Sequence, residues 1–122
     1  MTYNFSTSDF EGPLDLLLHM VKESKMDIYE INIRSIIDQY IEFIHSLTEK
    51  NIDVASEYLV MSSELIHLKS KLLINRKDED IESSEDEFSI NSEEDLRNKL
   101  LEYEKYKELT KNFKELEEKR NE

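Results

Sequence analysis

The sequence predicts an all-α protein: a small N-terminal three-helix domain, an acidic linker, then one long amphipathic helix. Three observations carry that prediction. The chain has one glycine and one proline in 122 residues, where average usage would give about fourteen of the two together. Charged residues make up 37% of it, and the aliphatics are mainly leucine and isoleucine, a helix-forming composition. Apolar residues also recur at three- and four-residue steps in four separate stretches. Hydrophobic residues reach only 38%, so a large self-sufficient core is not expected.

Thr2 to Phe10 is polar and β-tolerant, with Tyr3 and Phe5 alternating with polar neighbours, a short candidate strand. Phe10-Glu11-Gly12-Pro13-Leu14-Asp15 follows. Proline suits the first helical position, and Gly12 supplies a flexible entry. Leu14, Leu17, Leu18 and Val21 then mark one face of a first helix, from Pro13 to about Ser24. Met26 to Ile33 reads as a short connector. Ile36, Ile37, Tyr40, Ile41, Ile44 and Leu47 form the stripe of a second helix, about Arg34 to Leu47.

Thr48 to Ile52 reads as a loop and Asp53 as an N-cap, with a third helix running to about Asn75. Val54, Tyr58, Met61, Leu65, Leu68 and Leu72 fall at alternating four- and three-residue steps, a heptad seam. Beside it lies a second stripe, Ala55, Leu59, Ile66 and Leu73, interrupted by Ser62 and Lys69. Helices one and two could bury both, or part of this wide surface could meet a second, helical protein. Lys69, Lys71, Arg76 and Lys77 suit the negative end of this helix.

From Asp78 to Asp95 there are ten acids and no base. Like charges at this density repel, and only Ile81, Phe88 and Ile90 could be buried, so the stretch reads as a disordered linker. Removing it leaves nineteen acids against sixteen bases, so most of the net charge of −13 sits there. Ser92-Glu93-Glu94-Asp95 then has the form of a helix start. The fourth helix runs from Glu93 to about Arg120, roughly 42 Å at 1.5 Å per residue. Leu96, Leu100, Tyr103, Tyr106, Leu109, Phe113 and Leu116 make one long, drifting stripe with no later helix to cover it. It can fold back, self-associate or dock on a partner, and the acidic linker favours separation and docking.

Much chemistry is excluded. A dinucleotide fingerprint, a P-loop and tight hairpins need glycines the chain lacks. With no cysteine there is no disulfide framework, thiolate metal site or cysteine nucleophile, and a cytosolic protein is the simple reading. No secretory signal follows Met1, and no apolar run approaches the ~20 residues of a membrane span. The acidic balance argues against direct grip on a nucleic-acid backbone. His19, His45 and His67 each sit alone in a helix without metal-ligand spacing. The acids offer no isolated pair in an apolar setting for acid–base work. No catalytic, metal or cofactor site is expected.

Several blocks resemble a known family. Phe10-Glu11-Gly12-Pro13-Leu14-Asp15-Leu16-Leu17-Leu18-His19 followed by Asp27-Ile28-Tyr29-Glu30-Ile31-Asn32-Ile33 resembles the start of segregation and condensation protein A, the bacterial kleisin. Ala55-Ser56-Glu57-Tyr58-Leu59-Val60-Met61 with Leu68-Lys69-Ser70-Lys71-Leu72-Leu73 resembles its third helix, and Leu100-Leu101-Glu102-Tyr103-Glu104-Lys105-Tyr106-Lys107 its central segment. Asn32 stands where the family usually has proline. Family members are longer and end in a winged-helix domain, so this sequence resembles their N-terminal and central part.

The resemblance implies a non-enzymatic, cytoplasmic, nucleoid-associated adaptor in chromosome condensation and segregation. It would bind the coiled-coil neck of an SMC ATPase through residues 1–77 and a dimer of segregation and condensation protein B (ScpB) through residues 92–122. Residues 78–91 would be the acidic linker, and DNA would be reached only through the complex. The residues expected at the SMC neck are Tyr58, Met61, Leu65, Leu68 and Leu72, with the adjacent stripe as the alternative. Those expected at ScpB are Leu100, Tyr103, Tyr106, Leu109 and Phe113. The alternative reading from another class is a self-associating coiled-coil scaffold.

Overall fold

The computed structural model describes residues 7–73, 90 and 92–120. A short 3-10 turn, Thr7–Asp9, leads into four helices: α1 Pro13–Glu23, α2 Ile33–Glu49, α3 Ser56–Leu73 and α4 Glu93–Arg120. Among the described residues there is no strand. The candidate strand at Tyr3–Phe5 and most of the acidic stretch lie outside them.

Proline at the first position starts α1. Gly12 sits in extended backbone, at φ 166°, which any residue adopts. The entry is therefore fixed by Pro13 and by the Asp15 carboxylate accepting the Glu11 N–H at 3.1 Å, rather than by glycine flexibility. The leucine run makes α1 apolar well beyond one face. Leu16, Leu17, Leu18, Met20 and Val21 are all buried, as befits a helix surrounded by neighbours. It packs against α2, α3 and α4 and is the central element.

Two residues past the end of α1, Lys25 turns the chain in the left-handed region at φ 64°. The connector then folds inward. The Asp27 carboxylate accepts the Glu30 N–H, and Ile28, Ile31 and Ile33 are all buried. Asn32 is the N-cap of α2, its side-chain oxygen accepting the Ser35 N–H at 3.3 Å. Asparagine thus supplies a cap acceptor that proline lacks. α2 closes with paired bonds, Asn51 N–H to the Thr48 carbonyl and Ile52 N–H to the Leu47 carbonyl. Asn51 sits at φ 61°, the left-handed C-terminal stop that asparagine tolerates.

α3 begins three residues after the expected cap. Asp53 lies outside the helix, and Val54 after it packs against the core; the residue before Ser56 is Ala55, which has no capping group. The α2–α3 contact is the most extensive in the fold. Ile36, Ile37, Tyr40, Phe43 and Ile44 of α2 share one buried core with Tyr58, Met61, Leu65 and Leu68 of α3. The Tyr40 hydroxyl donates to the Tyr58 carbonyl at 2.9 Å, and Lys69 pairs with Asp38 at 2.6 Å.

α4 is capped by Ser92, whose hydroxyl accepts the Asp95 N–H at 3.1 Å. Its first turn carries Glu93, Glu94 and Asp95, and its last Lys119 and Arg120, complementing the helix dipole at both ends. Ile90, Leu96 and Leu100 are fully buried and belong to the same core as α1 to α3. The first half of α4 is therefore folded back onto α1.

Candidate functional site

No constellation for catalysis forms among the described residues. His19 contacts Glu23 at 3.4 Å and the Phe10 ring at 5.3 Å between centroids. His45 pairs with Glu49 on α2, and His67 lies on α3. No group of three or more potential metal ligands occurs among these residues, and no helix is long and apolar enough to cross a membrane. The open groove between α1 and α4 is lined by charges that pair across it, Lys22 with Glu104 at 3.6 Å and Lys107 with Asp15 at 2.9 Å. Among the described residues, two helices carry exposed apolar stripes, α3 and α4; Met26, Tyr29 and Ile52 are also exposed, in the connectors.

The first is on α3. Its heptad seam faces inward: Tyr58, Met61, Leu65 and Leu68 are buried and Leu72 is half-buried. The chain covers these residues with its own α1 and α2. Tyr58 also fastens the N-terminal segment, its hydroxyl donating to the Thr7 carbonyl at 3.0 Å. Burial, with Glu57 and Asp15 nearby, pushes that hydroxyl's pKa upward. Tyr40 is pushed well above the ordinary value of 10.0, chiefly by burial. The surface α3 offers outward is the neighbouring stripe. Leu59, Ile66 and Leu73 recur every seven residues and are 44%, 49% and 66% exposed. They lie about a third of a turn from the seam, with the small Ser63 and Ser70 between them, also exposed.

The second is on α4, which changes character along its length. Leu96 and Leu100 are wholly covered. Tyr103 is half-buried, its hydroxyl donating to Glu11 Oε1 at 3.1 Å. Burial, then Asp15 and Glu11, raise the pKa of that hydroxyl. Arg97 donates from Nε to the Ile28 carbonyl at 2.9 Å and from Nη2 to the Ile31 carbonyl at 3.1 Å, tying α4 to the α1–α2 connector. Arg34 pairs with Glu93 at 3.4 Å. Beyond Lys107 the helix leaves the body. Tyr106, Leu109, Phe113 and Leu116 are 56–68% exposed, and every residue from 111 to 120 is exposed.

Of the residues expected at partners, Tyr106, Leu109 and Phe113 are thus open on one helix face. Tyr103 is partly engaged, and Leu100 is inside the chain's own core. Periodicity missed this division because the covered and open residues share one drifting stripe. Arg97 and Lys107, which secure the covered half, had no sequence signal beyond being bases within an acidic chain.

Comparison with known proteins gives one consistent result. The family model described as segregation and condensation protein ScpA matches residues 20–122. Segregation and condensation protein A of Bacillus cytotoxicus is 44% identical over 120 residues, which is 98% of this chain and 48% of that relative. The proteins of the same name from Bacillus cereus (strain B4264) and Bacillus anthracis are each 43% identical over 98% of this chain and 49% of their own length. The chain spans about half the length of the curated relatives it matches.

Proposed function

The chain belongs to the segregation and condensation protein A family, and on that footing we propose that it is a non-enzymatic kleisin adaptor. It joins the coiled-coil neck of an SMC ATPase to ScpB in the bacterial chromosome-condensation complex. It hydrolyses nothing itself and requires no cofactor, and it works in the cytoplasm on the nucleoid, reaching DNA through its partners.

The single observation that carries this reading is the pair of exposed apolar helix stripes, on α3 and on the second half of α4. A stripe repeating every seven residues suits the addition of α3 to a coiled coil. Leu59, Ile66 and Leu73 make that contact, while Tyr58, Met61, Leu65, Leu68 and Leu72 hold the stripe in place from beneath. On α4, Tyr106, Leu109 and Phe113 supply the aromatic and aliphatic anchors typical of interface centres.

Co-purification of the chain with an SMC head-and-neck fragment and with ScpB tests the assignment. Ile66→Glu places a charge in the α3 stripe and is expected to abolish SMC binding while leaving ScpB binding intact. Phe113→Ala is expected to do the reverse. Loss of both partners from either variant, with helical content unchanged, would contradict two separate surfaces.

A further inference from the structure

The covered and exposed parts of α4 lie on different faces of one helix. Leu96, Leu100 and Tyr103 step by four and three residues and stay on the side toward α1. Tyr103 to Tyr106 to Leu109 then takes two consecutive three-residue steps. At 3.6 residues per turn each falls about 60° short of a full turn, so the apolar stripe rotates about 120° around the helix. Leu109, Phe113 and Leu116 continue on the new face, and all are exposed. Meanwhile Lys107 remains on the old face and closes on Asp15, whose side chain is only 11% exposed.

We propose that α4 is a two-faced rigid arm: one face clamps its first half permanently to α1, and the other presents its second half to a partner without opening the clamp. The clamp consists of Leu96 and Leu100 in the core, Arg97 on the connector carbonyls and Lys107 on Asp15. Beyond it, about thirteen residues extend for roughly 20 Å. A free helix of that length is marginal in water, but the costly nucleus already exists in the clamped turns, so the outer turns only propagate it. The arm is thereby aimed before any partner arrives, which lowers the ordering cost of binding. The α3 and α4 stripes are held at a fixed separation and angle; they are not tethered through a flexible joint. This deepens the proposed function and rests on it for the identity of the partners, but the geometry is testable on the chain alone.

The chain has no native cysteine, so spin labels can be placed freely. The probe pair is Glu42→Cys on α2 with Glu115→Cys on the arm, both at exposed positions. Pulsed electron–electron resonance is expected to give one narrow distance distribution. Adding Leu96→Ala and Leu100→Ala is expected to broaden it, while the control pair Glu42→Cys with Ser63→Cys stays narrow. Should the control also broaden, Glu108→Gly with Thr110→Gly replaces the double alanine variant. These residues lie past the clamp, where interior glycine weakens the helix without touching the core, and the arm distances alone should then broaden. A broad distribution in the unsubstituted chain overturns the proposal. So does a narrow one that survives both sets of substitutions. Loss of partner binding with narrow distances would instead count against the proposed function and leave the arm standing.

Discussion

Leu100→Ala is the most direct probe of how α4 is attached. The side chain is fully buried, and truncating such a leucine costs about 2–5 kcal/mol, the transfer loss plus the cavity left behind. The other terms that hold α4 are Ile90 and Leu96 in the core, Arg97 on the connector carbonyls and Lys107 on Asp15; the Arg34–Glu93 and Lys22–Glu104 pairs join largely solvated side chains, and such pairs contribute about 0–1 kcal/mol each. The α2–α3 interface, by contrast, involves no α4 residue in its main contacts. Most of the loss should therefore fall on the opening of α4 and leave α2 and α3 closed. At 1.4 kcal/mol per factor of ten, amide exchange within residues 93–107 should accelerate by about thirty-fold to several thousand-fold. Amides of Ile37, Tyr40 and Leu65 should change far less. The measurement is residue-resolved hydrogen exchange by NMR at neutral pH. Equal acceleration across all four helices would refute the argument that α4 opens as a unit. No acceleration in α4 would refute its burial.

Further outcomes follow from the same contacts. Arg97→Ala strips the Ile28 and Ile31 carbonyls of a charged donor and should lower stability by about 2–4 kcal/mol, read as a reduced urea midpoint; an unchanged midpoint would show those bonds to be of no consequence. Asn32→Ala removes the α2 cap and should cost about 1 kcal/mol, again by urea unfolding, with Ser35 exchange accelerated first. Tyr40 gives a pH dependence. Its folded pKa lies above the unfolded value of 10.0, so the fold favours the neutral phenol. That contribution is complete below the unfolded value and is lost as pH rises through and beyond it. The thermal midpoint should therefore fall between about pH 9 and about pH 11, and Tyr40→Phe should fall less steeply over that interval; identical slopes would sink the assignment.

Element existence was legible because each helix has an apolar stripe, and α1, α2 and α4 also have a usable stop or start. Pro13 opens α1, Asn51 supplies the left-handed stop after α2, and Ser92 caps α4. The start of α3 was misplaced because Asp53 has the right chemistry for a cap, while the helix begins only at Ser56, after Val54 has packed against the core. The central position of α1 has its own signal in the sequence. Leu16 and Met20 fall off the face drawn through Leu14, Leu17, Leu18 and Val21, and they are the sign of a helix covered on several sides. For the candidate surfaces, spacing identified both apolar bands of α3, but which band turns inward depends on where α2 lies, a long-range fact that local periodicity does not hold. On α4 the paired three-residue steps at Tyr103, Tyr106 and Leu109 mark where one face ends and another begins.

The bond between Arg97 and the connector has a practical corollary for dividing the molecule. Cutting before α4 would leave the Ile28 and Ile31 carbonyls without that donor. It would also strip Leu96 and Leu100 from the core against α1. A piece ending at residue 77 would therefore be sticky and prone to aggregate, and its failure to capture a partner would report damage rather than the absence of a binding site. A boundary after Lys107 keeps the body whole and removes only the projecting turns, so it is the place to divide the proposed α3 surface from Leu109 and Phe113.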